Sequence, residues 1–372
     1  MRIASYNVES LFNRAKALNP PLDWNAGKPA LEAYSRVNSL LAEPIYTDTV
    51  KTELLKLLAD LGLTKADDGG KFARLRQNRG HLLNRSKGKT TITASGRADW
   101  VGWLELETEP INELATRHTA MVLRDLDAHI QGVIEADNRI ALEDFSAIML
   151  DSVGGMPFEH VMLIDGNDRR GIDVGIMSKR GYDLTGIRSH VDDKDGQSEI
   201  FSRDCPEYTV RTPQGETIVV LVNHLKSKGY GAPAVSNARR ELQADRVAKI
   251  YRRLIKEGKK SVVVLGDFND TPDSRPLAPL LQKTNLRDVS EHPTFEVTDR
   301  PGTYGTGAKS NKIDYVLLSP ALFKRVTGGG LFRKGVWGGK NGTIFDHYPT
   351  MTKAEEAASD HAAIYADIAA AS

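Results

Sequence analysis

Val262-Val263-Val264-Leu265-Gly266-Asp267-Phe268-Asn269-Asp270 decides how the rest of the chain reads. An apolar, β-branched run long enough for a buried strand stops at a glycine and leads directly into Asp-x-Asn. Loops leaving buried strands are where sheet proteins hold reactive groups on a rigid support. The same letters also make an ordinary turn, because Asp and Asn side chains bond their own backbone two residues on. Company separates the two readings. Other strand-like runs end in or beside polar residues at Asn7 and Glu9, at Glu135, at His224 and Lys226, at Asp314, and at Asp360-His361.

Apolar alternation or continuous apolar runs predict strands near 2–8, 131–136, 160–165, 172–178, 217–223, 261–266, 312–318 and 361–368. Helical spacing predicts a helix from Ile111 toward Ile130, with Glu109-Pro110 as its start, and another from Val235 to Lys256 that stops at Gly258. Strands alternating with helices in some places, and with neighbouring strands in others, indicate an α/β or α+β layered sandwich. The chain of 372 residues, with 40% hydrophobic and 27% charged residues, has the composition of a globular protein. Its net charge of +1 points to no polyanionic partner by itself. Cys205 is the single cysteine, so no internal disulfide is available. The first residues read as a strand rather than a leader, and no apolar run is membrane-spanning in length; the expectation is a cytoplasmic protein.

Residues 19–100 read as an insertion within a single domain covering 1–372. They separate the first strand from the helix that should follow it, and strong strand signals are lacking. Val50 to Leu63 has the leucine spacing of an amphipathic helix. A largely helical, basic insertion is therefore expected. Its basic block runs from Lys71 to Arg97 without Asp or Glu, and includes Arg74, Arg76, Arg79, Arg85, Lys87 and Lys89. Such a block is either a solvated face or a surface for phosphates.

The residues at the strand ends suit one chemistry. Hard divalent cations take carboxylate and amide oxygens, and attack on phosphorus needs an activated water and neutralised oxyanions. The set offers acids for a cation, another acid for the water, and His, Asn and Lys as donors to phosphate oxygens. Zinc fits poorly, since the only cysteine is isolated and no histidine pair has zinc-ligand spacing.

Tyr6-Asn7-Val8-Glu9, Val133-Ile134-Glu135, Arg170-Gly171-Ile172-Asp173-Val174, Val222-Asn223-His224-Leu225-Lys226-Ser227, Gly266-Asp267-Phe268-Asn269, Lys312-Ile313-Asp314-Tyr315 and Ser359-Asp360-His361 follow one another in this order. In this order the chain resembles the endonuclease/exonuclease/phosphatase superfamily, over residues 1–18 and roughly 105–368. The resemblance implies a four-layer αββα sandwich of two packed mixed sheets. It also implies in-line displacement by water on a phosphate ester, with Mg²⁺ as cofactor and Mn²⁺ as a substitute.

By the same resemblance Glu135 is the principal metal ligand and Asn7 contacts phosphate or metal-bound water. Asp267 activates the attacking water, Asn269 holds the phosphate, and His361 contacts a phosphoryl oxygen with Asp314 fixing its ring. His224 lies toward the leaving oxygen, Glu9 and Asp360 complete a second metal position, and Arg170 and Lys226 add positive charge near the phosphate. The chain departs from the family at Ile134, where a glutamine is usual; Glu143 is the alternative acid, and Asp346-His347 competes with Asp360-His361. For substrate, the basic insertion with Trp100 and Trp103 suggests nucleic acid, DNA before RNA. Small or lipid phosphate esters such as inositol phosphates and sphingomyelin are the alternative, and a catalytically silent binding module is a third reading.

Overall fold

The computed structural model describes residues 1–11, 15–18, 24–108, 112–168, 170–228 and 232–371. Contacts divide them into two compact units, one made of 15–18 with 24–108 and the other of the remainder.

In the larger unit the sandwich strands, in chain order, are β1 (Arg2–Asn7), β2 (Ile130–Ala136), β3 (His160–Ile164), β4 (Asp173–Ser178), β5 (Asp183–Arg188), β6 (Glu207–Arg211), β7 (Thr217–His224), β8 (Val262–Asp267), β9 (Arg287–Asp288), β10 (Asp314–Leu318), β11 (Val326–Phe332) and β12 (Ala363–Ile368). They form two mixed six-stranded sheets, ordered β11-β12-β1-β2-β4-β3 and β9-β10-β8-β7-β6-β5. One core joins the facing sides, with Ile3, Ile134 and Ile364 from the first sheet against Val220, Leu265 and Val316 from the second. The helix Glu113–Leu126 covers the outer side of the first sheet through Val122, Leu123 and Leu126. The helix Pro233–Lys256 covers the second through Ala244, Val247 and Leu254. The four layers of the expected αββα sandwich are present.

The expected strands all form, with ends shifted by a residue or two. The helix start expected at Glu109-Pro110, with Ile111, lies outside the described residues; Asn112 caps that helix by accepting from the backbone N–H of Leu114 and Ala115. The Gly328-Gly329-Gly330 run, which reads as low complexity, is the middle of β11. At Gly266 the backbone has φ of 134°, and an added Cβ would sit 1.8 Å from the carbonyl oxygen of Asn223 on β7. Gly266→Ala is therefore expected to cost about 3 kcal/mol, the scale of overpacking a tight interior. A denaturant midpoint unchanged from that of the parent would contradict this.

The smaller unit corrects one expectation. Two helices, Trp24–Leu41 and Asp48–Asp60, do form, but the stretch from Lys71 to Arg97 is not strand-free. Ala73–Arg79 pairs antiparallel with Val101–Leu106, and Leu83–Ser86 pairs with Lys89–Ile92. The second pair is a hairpin closed by Lys87-Gly88, both at positive φ (49° and 75°), a backbone whose twist matches that of the flanking strands. Leu75, Leu82, Trp100 and Leu104 join Leu54 and Leu58 in a core of its own.

Candidate active site

Period two along the strands builds the site. On β1 the residues Ile3, Ser5 and Asn7 share a face; on β7 Val220, Val222 and His224 do; on β8 Val263, Leu265 and Asp267; on β10 Asp314, Val316 and Leu318. In each case the apolar members line the core between the sheets. The polar residue is the last step of the same face, at one end of that core. A strand buried on its inner side thus delivers its terminal side chain to the junction of the two sheets.

Glu135 breaks the alternation. Val133 belongs to the outer core and Ile134 to the inner one, so regular pleating would turn Glu135 outward. The ladder between β2 and β4 slips between Ile134 and Ala136, and Glu135 takes φ of 66°. This bulge re-aims the carboxylate inward. Its Oε1 accepts from Asn7 Nδ2 at 3.2 Å and its Oε2 from Ser10 Oγ at 3.3 Å. Ile134, which departs from the family pattern, is part of the inter-sheet core. Glu143, the alternative acid, is surface-exposed and paired with Arg139.

Asp267 is the focus of the cluster. Its Oδ2 accepts from Asn7 Nδ2 at 3.3 Å and from Asn269 Nδ2 at 3.2 Å, and its Oδ1 accepts from the backbone N–H of Asn269 at 2.8 Å. His224 Nε2 stands 3.6 Å from Glu135 Oε1 and 3.6 Å from Asp267 Oδ2. His361 Nε2 stands 4.0 Å from the same Asp267 oxygen, while its Nδ1 is 2.8 Å from Asp314 Oδ2. Asn7, Glu135, His224, Asp267, Asn269, Asp314 and His361 are thus brought together. Glu9 and Asp360 lie at the border of the cluster. The backbone N–H of Asp360 donates to Glu9 Oε2, and Asp360 Oδ1 is 3.7 Å from His361 Nε2.

Burial sets the charges. It lifts the Asp267 carboxyl to about 8, with Asp314 adding to the rise and His361 opposing it. Burial disfavours the His361 imidazolium, but the charges of Asp314, Asp360 and Asp267 outweigh it and hold that pKa well above the usual histidine range. His224 goes the other way: burial, then the charges of Arg203 and Arg170, keep it well below that range and therefore neutral. One histidine is a cation and the other a neutral ring, both facing one carboxylate.

Ligand atoms of Asp267, Asp314 and His361 all lie within 4.8 Å of one another. His361 and Asp314, however, already satisfy each other through Nδ1. Asn7 turns its amide nitrogen toward Glu135 and Asp267, so the carboxylate oxygens of Glu135, with those of Glu9 and Asp360 at the border, are the set that suits a hard cation better. Within the cluster, the buried atoms Asp314 Oδ1 and His224 Nδ1 find no hydrogen-bond partner among the described residues.

The charge of Arg170 reaches His224 and Lys226, but its guanidinium is already engaged. It grips Asp168 through Nε at 2.9 Å and a terminal nitrogen at 2.6 Å, and buried Arg203 holds the same carboxylate at 3.1 Å. Burial and then the charges of Arg170 and Arg203 lower the Lys226 amine to about 8. Asp168 and Arg203 carry no motif that reading the sequence could seize. Ser359 stands inside the quoted Ser-Asp-His triplet: its Oγ donates to the Asn7 carbonyl and accepts from the His361 N–H, tying β1 to the start of β12. Tyr304, whose ring lies 5.0 Å from that of His361, is a further neighbour that sequence reading missed. His347 stacks on Trp337 and hydrogen-bonds backbone carbonyls, outside this cluster.

The basic insertion residues fall in the smaller unit. Arg74 and Arg76 both bind Glu105, at 2.7 and 2.6 Å. Arg85 is held by Asp67 and by the carbonyls of Leu63 and Thr64. Arg79, Lys87 and Lys89 are exposed. Trp100 is buried and donates to the Tyr46 hydroxyl, whereas Trp103 is 39% exposed and lies across the ribbon from Arg76.

Carboxylates, amides and histidines thus converge at one end of a two-sheet sandwich. The profile of the endonuclease/exonuclease/phosphatase family matches residues 88–366, and the chain belongs to that family. Its members are phosphoesterases that use divalent metals. No curated protein matches the sequence. Among solved structures, the mannosyl-6-phosphatase of Bacteroides thetaiotaomicron is 15% identical, with 69% of this chain and 91% of that chain covered and a TM-score of 0.50. A truncated TDP2 of Caenorhabditis elegans is 15% identical (68% and 90% covered, TM-score 0.47), and a beta toxin of Staphylococcus aureus is 14% identical (69% and 93%, 0.47). These likenesses are of fold. Among the described residues, no helix is long and apolar enough to cross a membrane.

Proposed function

We propose that the chain is a divalent-cation-dependent phosphodiesterase, a nuclease before anything else, that hydrolyses phosphodiester bonds of DNA or RNA by in-line attack of water. The convergence of Asn7, Glu135, His224, Asp267 and the Asp314–His361 pair at one end of the sandwich carries this reading. Asp267 accepts the proton of the attacking water, as its raised affinity for protons suits. His361, as imidazolium, donates to a phosphoryl oxygen, while Asn7 and Asn269, whose amide hydrogens go to Glu135, Asp267 and the Leu225 carbonyl, hold the base in place. Neutral His224 faces the leaving oxygen. Glu135, with Asn7 beside it, would hold Mg²⁺ or Mn²⁺, which supplies charge neutralisation at the phosphate; Glu9 and Asp360 are the acids available for a second ion. Arg170 and Lys226 contribute positive field beside His224.

Arg79, Lys87, Lys89 and Trp103, exposed on the smaller unit, support nucleic acid as the substrate. A second reading, hydrolysis of a small or lipid phosphate ester, is favoured by one observation: Arg74, Arg76 and Arg85 already serve carboxylates and carbonyls of their own unit. Reversing the charges of Arg79, Lys87 and Lys89 is expected to weaken DNA binding and reduce the slope of log affinity against log salt by about 2 to 3. An unchanged slope would move the block to structure. A substrate panel with and without EDTA (plasmid, single-stranded DNA, RNA, p-nitrophenyl esters, inositol phosphates, sphingomyelin) tests the function itself. Turnover of only the last two would replace the nuclease reading with the second.

A further inference from the structure

Asn269, like Glu135, is held in a left-handed backbone. Asn269 has φ of 55°, the left-handed region that an L side chain enters at a penalty. In that conformation it sends its own N–H to Asp267 Oδ1 and its Nδ2 to both Asp267 Oδ2 and the carbonyl of Leu225. What it bonds to on the far side is fixed by the covering helix. The peptide unit whose carbonyl belongs to Leu225 has its N–H on Lys226, and that N–H donates to Gln243 Oε1 at 2.7 Å. One peptide plane is thus gripped at its oxygen by Asn269 and at its nitrogen by Gln243. One helical turn away, fully buried Arg240 donates to the next carbonyl, that of Lys226, at 2.6 Å, and to Asp270 Oδ2 at 2.9 Å. Gln243 is itself anchored through Nε2 to the Ile200 carbonyl at 3.1 Å.

We infer that Gln243 and Arg240 are positioning residues for hydrolysis: together they lock the 225–226 peptide and Asp270, and so hold Asn269 in the left-handed conformation that orients Asp267. Neither touches the reacting atoms. Two loops at the ends of neighbouring parallel strands, β7 and β8, are pinned by one face of one helix, because side chains three apart share a face. With the clamp loosened, Asn269 returns to a right-handed backbone, Asp267 loses donors on both oxygens, and its carboxylate is no longer aimed.

The inference rests on the phosphodiesterase reading above for its kinetic consequence, so its test has two arms. The first uses bis(p-nitrophenyl) phosphate with Mg²⁺. Gln243→Met, which keeps the length but removes the acceptor, should lower kcat about 10- to 100-fold, the scale of a small misplacement of a reacting group, with KM little changed. Gln243→Glu restores an acceptor for the Lys226 N–H but sets an oxygen against the Ile200 carbonyl in place of the amide donor, and should recover only part of the loss. Arg240→Lys keeps a cation at Asp270 without the fork and should behave like Gln243→Met. In an Asn269→Ala background Gln243→Met should add less than about twofold, since residues in one hydrogen-bond network couple, whereas a merely structural lesion multiplies fully. The second arm is independent of turnover. The side-chain amide resonances of Asn269 should move, and exchange faster with solvent, in Gln243→Met. Unmoved Asn269 resonances, or full multiplicativity in the double variant, would overturn the clamp. Failure of the parent to hydrolyse the diester, with the resonances moving as expected, would instead overturn the reading of function and leave the clamp standing.

Discussion

Asp267→Asn is expected to lose hydrolysis by about 100- to 10,000-fold, the span of a general base, yet to melt no lower than the parent when both are free of metal. The two expectations have one cause. Burial, reinforced by Asp314, raises the Asp267 carboxyl to about 8, whereas in the unfolded chain it titrates near about 4. A carboxyl whose pKa is higher in the folded state binds its proton more tightly there. Its contribution therefore favours the fold at low pH and is lost as pH rises from about 4 toward 8. Asparagine never acquires that charge. Calorimetry of the two metal-free proteins should thus show equal melting near about pH 4 and an advantage for Asp267→Asn near about pH 8. Mg²⁺ should raise the melting temperature of the parent more than that of the variant. A variant that melts well below the parent at the higher pH, or that turns over normally, contradicts the role given to this residue.

The second large effect concerns the charged histidine. His361→Ala should lower kcat by at least about 100-fold. Asp314→Asn is the more discriminating change. Against the cost of burial, the Asp314 carboxylate is the largest influence raising the His361 pKa, so its removal lowers that pKa. An imidazolium that must be present for turnover serves at all pH values below its pKa and is lost above it. The alkaline limb of the kcat/KM profile should therefore move to lower pH in Asp314→Asn, while the acid limb shifts much less. If only the height of the profile changes, Asp314 serves by packing and not by charge.

The sandwich was legible because its central strands are buried on both sides and announce themselves as apolar runs. Val262 to Leu265 and Ile218 to Val222 are continuous, as strands between a helix layer and a second sheet must be. Strands with weaker signals were not anticipated. Asp183–Arg188 and Val326–Phe332, at the sheet edges, carry glycine and polar residues because one side meets water. The smaller unit was harder still, since its ribbon alternates arginines with short apolar residues and reads as a charge block. Its one strong local cue, Lys87-Gly88 between Arg85 and Lys89, is a hairpin turn.

Within the site, the residues at strand ends could be named from sequence, since position along a chain marks where a strand stops. What holds them could not. Arg203, Arg240 and Gln243 act through contacts between segments far apart in the chain, and nothing in their neighbours' identities signals this. The bulge at Glu135 is equally silent: no glycine marks it, and the left-handed turn is imposed by the ladder around it.

Ser359 ties the carbonyl of Asn7 to the N–H of His361. The cluster is therefore complete only when the first strand and the residues just before the last one are both in place. For the hydrolase proposed above, a nascent chain would gain its full cluster only once the residues after His361 have left the ribosome and β12 has paired with β1.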